Sequence, residues 1–167
     1  MEAFLSLLAE NWVAIAIIIA CVLVAAIVYF AVLSRMERRV KKAWLEVYET
    51  FLSRADKVPL LVELIREDIP GVQALIAARA ATAGMARPSD QKRAAEKALE
   101  EVLAGVLSEV ALHPSLKKNA AVLELLKEFQ MWPARLQTAL FGYIRTLRLY
   151  RRVALGGQPE GYGEFTY

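Results

Sequence analysis

Hydrophobic residues fill one uninterrupted stretch near the start of the chain and recur at helical spacing in most of the remainder. The stretch 11–34 contains no charged residue. As a helix that rises about 1.5 Å per residue it is about 36 Å long, enough to cross a hydrocarbon core of about 30 Å. Trp12 lies at one end, and Tyr29 and Phe30 lie near the other, where aromatic rings favour the membrane interface. The pattern predicts one transmembrane helix at residues 11–34.

The charges on either side of this stretch indicate its orientation. Residues 1–10 contain Glu2 and Glu10 and no Lys or Arg. The run after the stretch contains a single acid, Glu37, and five basic residues: Arg35, Arg38, Arg39, Lys41 and Lys42. Cytoplasmic flanks collect Lys and Arg. We therefore expect residues 1–10 to be extracytoplasmic, the chain from 35 onward to be cytoplasmic, and the five basic residues to lie at the membrane surface, where they attract anionic lipid headgroups.

Two other interpretations of the apolar stretch fit less well. A cleaved signal peptide has a basic start and a shorter apolar core, whereas this chain starts with acids. Residues 18–21 look like a lipoprotein processing site ending at Cys21, but more apolar residues follow and no basic segment precedes it. We expect Cys21 to be unacylated and the stretch to be retained.

Residues 35–155 show the pattern of a helical domain. The first seam of apolar positions, spaced by three, four or seven residues, is Val40, Trp44, Val47, Phe51, Val58, Leu61 and Ile65. The last seam is Val122, Leu125, Phe129, Trp132, Leu136, Ala139, Tyr143, Leu147 and Tyr150. Such spacing is typical of packed helices, and no sustained alternation predicts a strand. The expected fold is all-α, with the transmembrane helix leading into an up-and-down antiparallel bundle of three to four long helices.

Breaks in this pattern define the helix ends. Pro59 is expected to kink the first helix, and the chain reverses at Pro59 or at Pro70 if a fourth helix exists. A Gly- and Pro-containing loop at 83–90 precedes a helix from about 91 to 112, with Ser89 or Asp90 as its N-cap. Ser115 is the expected N-cap of the last helix.

Charged residues within these helices carry two further expectations. Arg54 falls on the first seam, where it either extends to the seam's edge or pairs with an acid. Glu96 is expected on the solvated side of the third helix, with its neighbouring glutamates. Ala95, Leu99, Val102, Val106 and Val110 are the expected core positions of that helix.

The last segment, 156–167, is rich in Gly and contains Tyr162, Phe165 and Tyr167. Its low apolar content predicts a flexible tail. The three rings are expected either to lie loosely against the domain or the membrane, or to form a peptide that docks on a protein partner.

The composition indicates no catalytic or metal chemistry. The chain has 167 residues, a net charge of +3, one cysteine and one histidine, His113. One cysteine excludes a disulfide framework and a CxxC site, and no zinc-finger or aromatic-interleaved basic motif favours nucleic acid. There is no phosphate-binding loop, dinucleotide fingerprint or nucleophile elbow. We expect no catalytic residue, cofactor, metal or small-molecule substrate, and a protein partner or self-association through the helices.

Two stretches of the chain resemble the LemA family of bacterial membrane proteins. The first is residues 40–64, VKKAWLEVYETFLSRADKVPLLVEL, and the second is residues 116–129, LKKNAAVLELLKEF. The chain departs from the family pattern at Leu60, Ile144 and Arg151, where the family usually has Asn. The resemblance implies one N-terminal span, a cytoplasmic helical domain and the bacterial inner membrane. It also implies an adaptor or scaffold rather than an enzyme; the alternative is a regulatory subunit of a membrane enzyme such as a metallopeptidase.

Overall fold

The described part of the chain forms four α-helices. The structure, a computed structural model, describes the backbone of residues 2–165 and the side chains of residues 11–165. The helices are α1 (Glu2–Ile65), α2 (Val72–Thr82), α3 (Asp90–Leu112) and α4 (Ala120–Val153), and a 3₁₀ turn (Leu116–Lys118) precedes α4. Residues 2–165 contain no β-strand, which confirms the predicted all-helical class for this part of the chain.

Helix α1 is continuous over 64 residues and contains Pro59 in its interior. The chain reverses only after Ile65, in a turn that contains Pro70. Helix α2 is therefore the fourth helix, whose existence the sequence analysis left undecided. Along residues 11–34 the apolar side chains are almost all exposed. The most apolar window of this part has a mean hydropathy of 3.1, and α1 is the one helix among the described residues that is long and apolar enough to cross a membrane.

Helix α4 runs antiparallel to α1. Lys57 Nζ lies 2.9 Å from Glu128 Oε2, Trp132 Nε1 donates to the Thr50 carbonyl at 3.0 Å, and the Tyr29 hydroxyl donates to the Val153 carbonyl at 3.3 Å. The predicted seams form this contact. Every apolar position of the first seam is buried, as is every position of the last seam except Ala139, which is half-buried.

Helices α2 and α3 form a hairpin that covers only the half of the α1–α4 pair far from residues 11–34. The distal cluster, as we term the core of this half, contains Val58, Leu61, Ile65, Ile69, Val72, Leu75, Leu99, Leu103, Val106, Val110, Leu116, Val122, Leu125 and Phe129. Side-chain caps start the two later helices. Ser89 Oγ, one of the two predicted caps, accepts from the Lys92 N–H at 3.0 Å, and Asn119 Oδ1 accepts from the Ala121 N–H at 3.0 Å. Ser115, the predicted cap of α4, instead precedes the 3₁₀ turn.

In the described part of the chain, no third helix covers the half nearer residues 11–34. The proximal cluster, as we term its core, contains Val40, Trp44, Val47, Phe51, Trp132, Leu136, Leu140, Tyr143, Leu147, Tyr150 and Phe165. Its open side is covered by the α2–α3 loop, whose Ala86 carbonyl accepts from Trp44 Nε1 at 2.7 Å, and by the chain after α4. A segment outside the helices thus completes this part of the core.

Candidate membrane-surface and docking sites

The five predicted membrane-surface residues are exposed on the turns of α1 that follow the apolar stretch: Arg35, Arg38, Arg39, Lys41 and Lys42. Lys41 Nζ lies 2.5 Å from Glu37 Oε1, and this hydrogen bond raises the pKa of the lysine above its ordinary value. Helix α1 continues without a break between the apolar stretch and this basic run. The charged groups are therefore held at a fixed distance from residues 11–34.

Helix α4 brings a second set of arginines to the same level. The Tyr29–Val153 contact aligns the C-terminal end of α4 with the last turns of the apolar stretch. Arg145, Arg148 and Arg152 are exposed on this part of α4. Their position beside the basic run of α1 follows from the length of α4 and its alignment with α1.

The tail predicted to be flexible packs onto the helices as far as it is described. Phe165 is fully buried, with its ring centroid 5.1 Å from that of Trp44 and 6.0 Å from that of Phe51. Tyr143 Oη donates to the Gly163 carbonyl at 2.6 Å, and Arg151 Nη1 lies 2.6 Å from Glu164 Oε1. Tyr162 and Phe165 thus lie against the domain, which is one of the two alternatives left by the sequence, although Phe165 is fully buried rather than loosely placed. The flexibility of residues 156–167 stays a prediction.

The physical reason for the burial of Phe165 is that the α2–α3 hairpin is too short to pack on the apolar rings of the proximal cluster. The tail packs on them instead. A buried Phe165 is not available as a docking side chain in this conformation. Tyr162 is half-buried and packs against the proximal cluster. Tyr167 lies outside the described residues.

A buried group of charges joins α1 to α3. The Arg54 guanidinium pairs with the Glu96 carboxylate and lies 3.8 Å from the centroid of the Trp132 ring. Lys92 Nζ lies 2.5 Å from the other oxygen of Glu96, and all three charged residues are 2% exposed. Arg54 thus pairs with an acid, which is one of the two alternatives left by the sequence.

The expectation that Glu96 lies on a solvated face is wrong. The buried stripe of α3 runs Lys92, Glu96, Leu99, Leu103, Val106 and Val110, and the expected core positions Ala95 and Val102 are only half-buried. This stripe keeps a spacing of four and three, and its first two members are charged. Extending the apolar stripe backward from Leu99 at that spacing would have placed Glu96 on the buried face of α3.

A small cavity and a longer groove adjoin these residues. The cavity, of about 180 Å³, lies beside the charge group and is lined in part by Tyr48, Asp56 and Arg79. The groove, of about 430 Å³, follows α4 and is lined mainly by apolar side chains, namely Trp132, Pro133, Leu136, Leu140, Phe141, Ile144 and Phe165. Phe141 is 70% exposed at its edge.

The single histidine lies at the corner between α3 and α4. His113 Nδ1 lies 2.9 Å from Ser115 Oγ and 3.9 Å from Asp68 Oδ1. Among the described residues, no group of three or more His, Cys, Asp or Glu side chains is arranged to hold a metal ion. The buried acid Glu96 is engaged by two cations.

No protein-family model matches this chain, and no curated protein matches it. The resemblance to the LemA family therefore stays a prediction from the two sequence stretches quoted above.

Proposed function

We propose that this protein is a non-catalytic helical scaffold or adaptor, anchored by α1 in the bacterial inner membrane with the domain from residue 35 onward at the cytoplasmic face. The observation that carries the proposal is the continuity of α1, which passes from an exposed apolar stretch into a packed domain with no linker. An uninterrupted helix fixes both the distance and the orientation of the domain relative to whatever holds residues 11–34.

A lipid environment for residues 11–34 is supported by their exposure. Nine large apolar side chains between positions 17 and 30 are each more than half exposed: Ile17, Ile18, Ile19, Val22, Leu23, Val24, Ile27, Val28 and Phe30. Monomeric soluble proteins rarely leave an apolar surface of this extent in water. A helix satisfies its own backbone hydrogen bonds, so it suits a single crossing of the bilayer.

The proposed topology rests on the distribution of basic residues. The exposed Lys and Arg of α1 follow the apolar stretch, and the arginines of α4 lie beside them. Residues 1–10 carry none. We propose that residues 35–155 form an antiparallel helical bundle in the cytoplasm, with α1 and α4 as its two long members.

Two features support a scaffold role: buried charged residues pair within the domain, and apolar residues are exposed at its surface. Arg54 and Lys92 each pair with Glu96, and the Arg54–Glu96 pair joins α1 to α3. The groove along α4 offers apolar contact area at its surface, with Phe141 at its edge. Adaptors bind through such area rather than through reactive groups.

Purification of the full chain from gently solubilised membranes tests this proposal. We expect a stoichiometric complex, either with a protein partner or with further copies of the chain. Phe141→Glu should weaken that complex, and Met131→Glu, at a 50% exposed position elsewhere on α4, is the matched control. A partner with catalytic motifs would favour the regulatory-subunit alternative. A monomer that by itself turns over a substrate would overturn the scaffold proposal.

A further inference from the structure

We propose that the C-terminal end of α4 is a second membrane contact, in which Leu155 enters the bilayer interface and Arg145, Arg148 and Arg152 bind the phosphates of anionic lipids. This inference rests on the proposed membrane insertion of α1. It adds a lipid-selective site on α4 that is separate from the basic run of α1.

The level of the α4 end relative to the apolar stretch supports the proposal. Val153 contacts Tyr29, and Trp132 contacts Thr50. The two antiparallel helices therefore keep the same axial alignment between these contacts. With both helices rising about 1.5 Å per residue, Arg148 is level with Arg35 and its neighbours, within about one turn. Leu155 follows Val153 and is therefore level with positions inside the apolar stretch, beyond the boundary that the basic run defines.

Charge complementarity points to an anionic surface. Arg145, Arg148 and Arg152 are exposed and share one face of α4, because their spacing is three and four. The sequence from Met131 to Leu155 contains no Asp or Glu. The acids near this end are occupied or belong to the tail: Glu37 pairs with Lys41, Glu164 pairs with Arg151, and Glu160 is exposed in the tail.

Apolar surface accompanies these arginines. Leu155 is 90% exposed and Leu149 is 45% exposed. A groove of about 480 Å³ runs between the charged side chains and is lined by Phe141, Ile144, Leu149 and the three arginines. Leu155 also has a φ of +51°, a conformation that favours Gly at a helix end. Guanidinium groups beside exposed apolar side chains match a phospholipid, which carries a phosphate above an acyl chain.

Environment-sensitive fluorophores on the full chain, reconstituted into phospholipid vesicles, test the geometry. Native Cys21 lies in the apolar stretch and carries the first probe, which reports insertion of α1. In a Cys21→Ala background, Leu155→Cys carries the second probe. Leu112→Cys is the matched control, because Leu112 is also a highly exposed leucine, 77%, but lies at the distal end of α3. We expect lipid-borne nitroxide quenchers to quench the probes at 21 and 155 and to spare the probe at 112.

Energy transfer from the probe at 155 to acceptor-labelled lipids tests the selectivity. Vesicles contain phosphatidylcholine and phosphatidylglycerol, and the acceptor is placed on either lipid. We expect preference for the phosphatidylglycerol acceptor. Changing all three arginines to Gln should lower that preference several-fold, because each basic residue near an anionic surface contributes at most about a factor of five and the basic run of α1 stays in place. Changing Lys117, Lys118 and Lys127, distal and exposed, to Gln should leave it unchanged.

The outcomes separate this inference from the proposed function. Loss of quenching at Cys21 would overturn the membrane anchor itself. Quenching at 21 with a water-exposed probe at 155 would overturn only the second contact. A probe at 155 that prefers neither lipid would overturn the anionic-lipid site. Concentration-dependent protection of position 155 in lipid-free detergent would assign this face to a second copy of the chain and would also overturn it.

Discussion

Arg79 Nε donates a hydrogen bond to the carbonyl oxygen of Ala55 at 2.7 Å. Ala55 precedes Pro59 by four residues, so its carbonyl is the one that would accept from the N–H that proline lacks. A side chain of α2 therefore supplies the donor that is missing in α1. This bond helps to explain why α1 continues through Pro59 and why α2 returns along it.

The first prediction concerns this bond. Arg79→Ala should lower the free energy of unfolding by about 1.5 kcal/mol, the lower end of the range for a hydrogen bond with a charged donor, because the side chain is half-buried. In a Pro59→Ala background the loss should be smaller, because the backbone N–H of residue 59 then serves the same carbonyl. Urea unfolding of the full chain in detergent measures both.

The matched control is Arg66→Ala, since Arg66 is an exposed arginine just beyond the end of α1. It should have little effect in either background. An equal cost of Arg79→Ala with and without Pro59 would show that the two residues act independently, contrary to this account.

The second prediction concerns the tail. Phe165→Ala should destabilise the protein by about 3–5 kcal/mol, as expected for truncation of a buried aromatic ring. Deletion of residues 156–167 should cost at least as much. Glu160→Ala, at an exposed position in the same segment, should be nearly neutral. Thermal unfolding of the full chain in detergent compares the three variants. A deletion with an unchanged melting transition would restore the view of a dispensable tail.

Helical spacing carried most of the information about the α1–α4 pair. The seams of α1 and α4 repeat every three to four residues over many turns, and nearly all their members are buried. Turn residues likewise narrowed the reversal to Pro59 or Pro70 and the cap of α3 to Ser89 or Asp90, and the structure has Pro70 and Ser89. These features depend on local sequence, so they are visible in it.

The buried tail and the burial of Glu96 depend on lengths and partners far away in the chain. Phe165 is buried because α2 and α3 end before they reach Trp44 and Tyr143, and composition of the tail alone argued for disorder. Glu96 is buried because Arg54, 42 residues earlier, faces it. The local sequence of α3 does not distinguish Glu96 from the neighbouring glutamates. The position of the α4 arginines beside the basic run of α1 similarly depends on the antiparallel alignment of Val153 with Tyr29.

The third prediction concerns the buried charges. Glu96→Gln removes the buried carboxylate charge with which both Arg54 and Lys92 pair, so it should cost about 3–5 kcal/mol of stability. Glu101→Gln, on the exposed side of the same helix, is the control and should change stability by less than about 0.5 kcal/mol. Replacing all three with apolar residues, Arg54→Met, Lys92→Met and Glu96→Leu, should recover most of the loss, because no charge then remains buried. A neutral Glu96→Gln would mean that the carboxylate's charge is dispensable.

The fourth prediction concerns Tyr143 and pH. Burial raises the pKa of its hydroxyl to about 12, whereas a tyrosine in an unfolded chain has a pKa of about 10. Above pH 10 the unfolded chain releases this proton and the folded protein retains it, so rising pH favours unfolding. The contribution of Tyr143 to stability is therefore complete below about pH 10 and is lost between about pH 10 and 12.

Comparison of the wild type with Tyr143→Phe isolates this contribution, because every other titrating group is common to both chains. The variant loses the hydrogen bond to the Gly163 carbonyl, so it should be less stable at neutral pH. Its stability should also fall less steeply than that of the wild type as the pH rises above 10, because phenylalanine has no proton to release. Urea unfolding of the full chain in detergent at stepped pH measures the two slopes. Parallel curves would show that Tyr143 titrates alike in the folded and unfolded chains, contrary to the raised pKa of its buried hydroxyl.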